Sequence, residues 1–164
     1  IPYIVDTYFW QLSHVDINWI IDIMTCEFKI LESENIYLVV PLVEKLNDYK
    51  ISAKVLESRF IEMTKQNYEC AVIYDDNKII GVSGLWYCTR HYSGKSVEPD
   101  HVYIDEAYRG KGIGKAFFNW IYDYVKDKGC ETVELNTYVS NPSSHKFYYN
   151  EGFKILGFHF LKNL

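Results

Sequence analysis

Residues 109–115 read Arg-Gly-Lys-Gly-Ile-Gly-Lys, and a helical pattern begins inside that string. From Gly112 to Lys126 the apolar side chains Ile113, Ala116, Phe117, Trp120, Ile121 and Tyr124 fall on one stripe, and Gly129 ends the run. Asp100–Ile104, just upstream, has the pattern of a strand. A strand, a glycine-rich turn and a long one-sided helix require the helix to lie across a sheet. The glycines let the backbone turn tightly with its N–H groups inward. With the free amides of the helix N-terminus they form a socket for phosphate oxygens, and Arg109, Lys111 and Lys115 add positive potential.

Two common phosphate loops are excluded by spacing. A Walker A loop needs G-x-x-x-x-G-K-[ST], which is absent. A dinucleotide fingerprint needs G-x-G-x-x-G, but its last position falls on Lys115 or Phe117. What remains is R-x-x-G-x-G, carried by Arg109, Gly112 and Gly114.

The rest of the chain supplies the sheet. Strands are expected at Phe28–Leu31, Glu69–Tyr74, Lys78–Trp86, Thr132–Thr137 and Phe153–Leu161. Helices are expected at 35–47, capped by Asn35 and bent by Pro41, at 52–66, capped by Ser52, and at Pro142–Asn150. In the first, Leu38, Leu42 and Leu46 mark one face; in the second, Val55, Leu56, Phe60 and Met63 point inward. The order is mixed α/β, mostly antiparallel early and crossing over late. Residues 28–164 form a single domain and 1–27 an extension. In that extension 15–24 has the composition of a short helix, and the segment is left between covering a sheet edge and making a subunit contact.

Composition narrows the function. The 164 residues carry a net charge of −5, against the basic surface that nucleic-acid binding needs. No run of apolar residues exceeds five, so no membrane span is expected, and the cytoplasm is the default location. Cys26, Cys70, Cys88 and Cys130 are too far apart for a zinc site and are read as free thiols; no metal is expected.

A second string begins at Asn141 and reads N-x-x-x-x-x-x-Y-x-x-x-G-F through Tyr148, Gly152 and Phe153. Taken with the R-x-x-G-x-G turn, in this order, the chain resembles the GNAT superfamily of acetyl-CoA-dependent N-acetyltransferases over residues 28–161. The resemblance implies a GNAT-like acyl-CoA N-acyltransferase fold: a mixed, mostly antiparallel sheet flanked by helices and splayed between strands 4 and 5, with acetyl-CoA as co-substrate in the gap. It implies main-chain contacts from Ile104 to the pantetheine and the thioester oxygen. It implies a diphosphate held by Arg109, Gly110, Lys111, Gly112, Ile113, Gly114 and Lys115, a contact from Asn141 to the pantetheine arm, and Tyr148 as general acid. A homodimer is a further implication.

Transfer to an amine requires a deprotonated nucleophile, fixed donors for the thioester oxygen and a proton for the departing thiolate. Glu98 stands eleven residues before Arg109, where some family members carry a base. The alternative position, five residues before Asn141, is Asn136 here. His101 is a third candidate, and a water relay needs no dedicated side chain. Strand alternation puts 98, 100, 102 and 104 on one face and His101 on the other, unless a bulge intervenes.

Residues 1–108 hold 17 acids and 9 bases; residues 109–164 hold 5 acids and 8 bases. An acidic first half suits a cationic acceptor, a small amine or a peptide amine, with Asp48, Asp105 and Glu106 as contributors and Tyr37, Tyr49, Trp86, Tyr87 and Tyr92 as candidate pocket aromatics. The alternative is a catalytically weak acyl-CoA sensor or an interaction domain.

Overall fold

The computed structural model describes residues 25–164. Five strands, β1 (Cys26–Leu31), β2 (Tyr68–Asp75), β3 (Lys78–Arg90), β4 (Gly94–Ile104) and β5 (Thr132–Val133), lie side by side in sequence order. The first four are antiparallel, and β5 runs parallel to β4. The helices are α1 (Val40–Leu46), α2 (Ala53–Met63), α3 (Ile113–Asp127) and α4 (Pro142–Asn150), with 3-10 turns at Ser33–Val39 and Glu106–Tyr108.

The sheet is covered on both faces, and β2 shows why. Cys70 and Val72 pack with Ile36, Val39, Leu42, Leu56 and Phe60 from the α1–α2 layer. Ala71 and Ile73, between them, pack with Ile113, Phe117, Ile121 and Val125 of α3. Period-two alternation thus divides one apolar run between two cores. Helix α3 buries Ile113, Phe117, Phe118, Ile121 and Val125, close to the stripe its sequence predicts. Truncating a fully buried aromatic such as Phe117 costs about 3–5 kcal/mol.

The first helix expected, 35–47, is two elements. A 3-10 turn runs to Val39, and an α-helix begins at Val40 with Pro41 in its first turn, where a missing N–H is harmless. Asn35 is therefore not a cap; Glu32 occupies that position. The buried residues are Ile36, Val39, Val40, Leu42 and Val43, while Leu38 and Leu46 are exposed. In α2, Leu56 and Phe60 are buried, Met63 packs partly against them and Val55 is exposed.

β3 and β4 are longer than expected and form a hairpin closed by Arg90–Gly94 pairing. β5 is shorter, and residues 153–164 form no strand, although Ile155, Leu156, Phe158 and Phe160 have strand-forming side chains. A strand needs a paired neighbour, and among the described residues this segment has no pairing partner. The N-terminal extension falls, up to residue 24, outside the described residues.

The pairing of β4 with β5 is confined to Ser96–Thr132 and Val97–Val133, followed by a bond from Glu134 N–H to the Val97 carbonyl at 3.0 Å. Beyond it the strands part while β4 runs on to Ile104. Val97 turns its backbone toward β5, so Pro99 is the next residue to do so, and proline has no N–H to donate.

Candidate active site

The glycine-rich turn follows β4 and opens α3. Gly110 and Gly112 take φ of +77° and +76°, the left-handed region that side-chain-bearing residues avoid. Gly112 is the residue before the first turn of α3, and no side chain caps that end. The amides of Ile113, Gly114 and Lys115 have no intrahelical carbonyl to bond. Gly114 packs at ordinary contact distance: a Cβ there would lie 3.4 Å from Ile104 Cδ1 and 3.7 Å from Phe147 Cε2. Arg109 is engaged locally: its Nε donates to the Ile104 carbonyl at 2.9 Å, its Nη1 lies 3.5 Å from Glu106, and its guanidinium covers the Tyr103 ring. It therefore shapes the turn by tying it back to β4. Lys111 reaches toward the Tyr108 ring, with Nζ 5.5 Å from its centroid, and Lys115 is exposed.

Where β4 leaves β5, polar side chains gather. Asn136 donates to Glu98 Oε1 at 2.6 Å. Arg90 lies 3.5 Å from the other Glu98 oxygen and also pairs with Glu134. Glu134 accepts further bonds from Ser96 at 2.8 Å and Tyr92 at 3.1 Å. Burial pushes the Glu134 carboxyl up, but hydrogen bonds from Ser96, Arg90 and Tyr92 outweigh it and hold the group below the usual carboxylate range. One guanidinium thus serves two carboxylates, leaving net negative charge at the parting of the strands. Arg90, Ser96 and Glu134 carry no sequence signal for this: they lie 6 to 44 residues apart and meet only through the hairpin and the crossover.

The acids expected to draw a cationic acceptor are neutralised locally. Asp48 pairs with Lys50 at 3.0 Å, Asp105 with Lys45 at 3.0 Å, and Glu106 with Arg109. Of the candidate aromatics, Tyr37, Tyr49 and Tyr92 are exposed, whereas Trp86 and Tyr87 pack against the two cores.

His101 departs from simple alternation. Val82 pairs with Tyr103 but Gly84 with Asp100, so Ser83 faces two residues of β4. This is a β-bulge, and His101 takes φ of +39° within it. The face count made from the sequence holds for His101 against Ile104 and fails across the bulge: Ile104 packs with Val97 on the α3 side, and His101 lies with Phe60 and Tyr68 on the other. The Tyr68 hydroxyl and His101 Nε2 are 3.0 Å apart, and His101 Nδ1 is 3.3 Å from Asp100 Oδ2.

On α4, Asn141 caps the helix, its Oδ1 accepting from Ser144 N–H at 3.2 Å. Tyr148 packs its ring between Phe118 and Phe153, with centroids 5.9 and 5.7 Å away. Burial pushes its phenol up to about 12, so it is protonated at neutral pH. Among the described residues its hydroxyl has no hydrogen-bond partner. The two motif helices are in contact through Gly114–Phe147 and Phe118–Tyr148, which brings the start of α3 and the Tyr148 helix together.

Residues 32–153 match the Acetyltransferase (GNAT) family, about three-quarters of the chain. The chain belongs to the GNAT acetyltransferase family. It is accordingly an acyltransferase. Aminoalkylphosphonate N-acetyltransferase of Salmonella typhimurium is 23% identical over 146 residues, 87% of this chain and 95% of that one. Among solved structures, an aminoglycoside acetyltransferase from an uncultured soil metagenomic sample aligns with a TM-score of 0.73 at 18% identity, covering 86% of this chain and 97% of that one. A ribosomal-protein-alanine N-acetyltransferase from Brucella melitensis aligns with a TM-score of 0.72 at 16% identity, covering 85% and 99%. These likenesses establish the GNAT fold: a five-stranded mixed sheet with flanking helices and a parallel β4–β5 pair. Among the described residues no helix is long and apolar enough to cross a membrane.

Proposed function

We propose that this GNAT protein transfers the acetyl group of acetyl-CoA to the primary amine of a small cationic compound or a peptide. The observation that carries this reading is the pair of left-handed glycines opening α3 beside the gap between β4 and β5. Main-chain amides at 110–115 take the diphosphate, helped by Lys111 and Lys115. The β4 main chain near Ile104 takes the pantetheine and offers an N–H to the thioester oxygen. Such a fixed donor is typically worth about 3 kcal/mol in the transition state. Asn141, besides capping α4, faces the pantetheine arm.

Three proton movements complete the reaction. The acceptor ammonium gives up its proton to Glu98, directly or through water, because an ammonium has no lone pair. Glu98 is a quarter exposed at the mouth of the gap, and its oxygens keep acceptor lone pairs beyond those that meet Asn136 and Arg90, which supports that assignment over His101, whose two ring nitrogens have one site each and both are engaged. The amine nitrogen bonds to the acetyl carbon as the carbon–sulfur bond breaks. The thiolate leaves with the proton of Tyr148, which burial keeps in place, and the phenolate so formed takes the surplus proton of the new amide nitrogen. The negative balance of Arg90, Glu98 and Glu134 supports a cationic acceptor.

The test combines calorimetry with coenzyme A and thiol release from acetyl-CoA against polyamines, aminoglycosides, aminoalkylphosphonates and peptides. Saturable binding with release on one amine class supports the reading. Binding with no release on any amine points to an acyl-CoA sensor, and no binding removes the assignment of the turn.

A further inference from the structure

His101 occupies a position that strand geometry disfavours. A histidine at φ of +39° sits in the left-handed region, which a side-chain-bearing residue holds only where the surroundings impose it. Here three elements impose it. β3 contributes an empty place: a Cβ built on Gly84 would fall 2.7 Å from His101 Nε2 and 2.8 Å from Tyr68 Cε2, so the imidazole fills the volume a side chain would take. β2 contributes the Tyr68 hydroxyl, and α2 the edge of Phe60, with ring centroids 5.3 Å apart.

The tautomer follows from the partners. Asp100 is a carboxylate, held below the usual range first by its bond with His101, and it also accepts from Trp86 Nε1 at 3.4 Å. A carboxylate only accepts, so Nδ1 carries the proton and Nε2 accepts from the Tyr68 hydroxyl. The His101 main-chain N–H bonds the other Asp100 oxygen at 2.8 Å, which closes the bulge on itself. Ring and backbone are thus fixed by the same carboxylate.

We infer that His101 is a positioning residue: its imidazole, wedged over Gly84 and tied to Asp100 and Tyr68, holds the β4 bulge and so sets the aim of the main-chain groups from Val102 to Ile104. The inference rests on the proposed acetyl transfer, in which those groups face the thioester. The bulge brings Val97 and Ile104 to the same face of the sheet, which simple alternation would place on opposite faces. Without the wedge the strand reverts toward regular register, and the acyl group loses its alignment while the distant diphosphate grip is unchanged.

The experiment compares His101→Ala, His101→Asn, Gly84→Ala and Tyr68→Phe with the wild type. It measures kcat and KM for acetyl-CoA on the best amine, coenzyme A affinity by calorimetry and Tm. Misplacing reacting groups by an ångström costs about 100-fold in rate. His101→Ala and Gly84→Ala are therefore expected to lower kcat about 100-fold with coenzyme A affinity held within about threefold. His101→Asn restores about tenfold of that loss, because asparagine tolerates the left-handed backbone and keeps a side-chain donor. If His101→Ala does not fold, Tyr68→Phe carries the test, with about a tenfold fall in kcat at unchanged coenzyme A affinity. Variants that keep kcat within about twofold, or that lose kcat and coenzyme A affinity in step, overturn the inference. A wild-type protein that takes up no coenzyme A overturns the acetyl-transfer reading beneath it, an outcome distinct from either.

Discussion

The turn at residues 109–115 and the polar cluster around Glu98 are joined by one strand, yet they are built from different materials. The turn is made of backbone: two left-handed glycines, the uncapped amides of α3, and an arginine that ties the loop to Ile104. The cluster is made of side chains from three places in the chain: Arg90 on β3, Ser96 and Glu98 on β4, and Glu134 and Asn136 after the crossover. A backbone site tolerates exchange of most side chains but not of a glycine. A side-chain site behaves in the opposite way. Substitutions can therefore separate binding from chemistry.

The largest effect is expected at Tyr148. Tyr148→Phe removes the proposed proton donor and should lower kcat by about 10²–10⁴-fold with coenzyme A affinity unchanged, measured by steady-state kinetics beside calorimetry. With the phenol at about 12, wild-type activity should show no alkaline loss attributable to Tyr148 between about pH 7 and 10. An equal fall in binding and rate would collapse the distinction between the two regions.

Gly112→Val comes next. A β-branched residue at φ of +76° is strained by about 1–3 kcal/mol, so coenzyme A affinity should fall about tenfold to 100-fold. Lys115→Ala, by contrast, should cost only a few-fold and lose even that at high salt, since it is exposed. Equal effects at both positions would mean that side chains, not backbone, make the grip.

Glu98→Gln should lower kcat/KM by about tenfold to 100-fold, measured by steady-state kinetics. Asn136→Ala should do less, because it removes one hydrogen bond and leaves Arg90 in place.

The smallest effect concerns stability. Burial pushes the Glu69 carboxyl up, but bonds from Lys128, Tyr87 and Tyr124 outweigh it and hold it below the ordinary range. Glu134 behaves likewise. A carboxyl lowered in the folded state stabilises above its unfolded pKa of about 4.3 and loses that contribution as pH falls through its folded value. Urea unfolding should therefore show stability dropping below about pH 4, with a shallower drop in Glu69→Gln.

The sequence made some of this visible and hid the rest for physical reasons. The α3 stripe and its glycine turn are local, so spacing alone reveals them, and Pro142–Asn150 is bounded by its own proline and glycine. The β3–β4 hairpin runs past its expected strands, because Ser93, Gly94 and Lys95 have the composition of a loop and Pro99 that of a break. Alternation puts His101 opposite Ile104 correctly but loses count between the two ends of β4, because a bulge depends on the partner strand lacking a side chain at Gly84. The 153–161 pattern has strand residues without a strand, since alternation records a preference and pairing requires a neighbour. The resemblance marks the positions of Glu98 and Asn136, but their contact with each other and with Arg90 depends on the hairpin and the crossover.

The early parting of β4 from β5 has one more consequence. Unpaired strand backbone at the rim of a sheet is a template for aggregation, and proteins usually blunt it with charge, proline or a covering loop. Here the unpaired stretch lies on the fourth of five strands, with β3 on one side and β5 anchored on the other by its two rungs. The two rungs to β5 bound the open stretch at one end and Pro99 removes a donor from it, so the edge that a foreign strand could pair with is short.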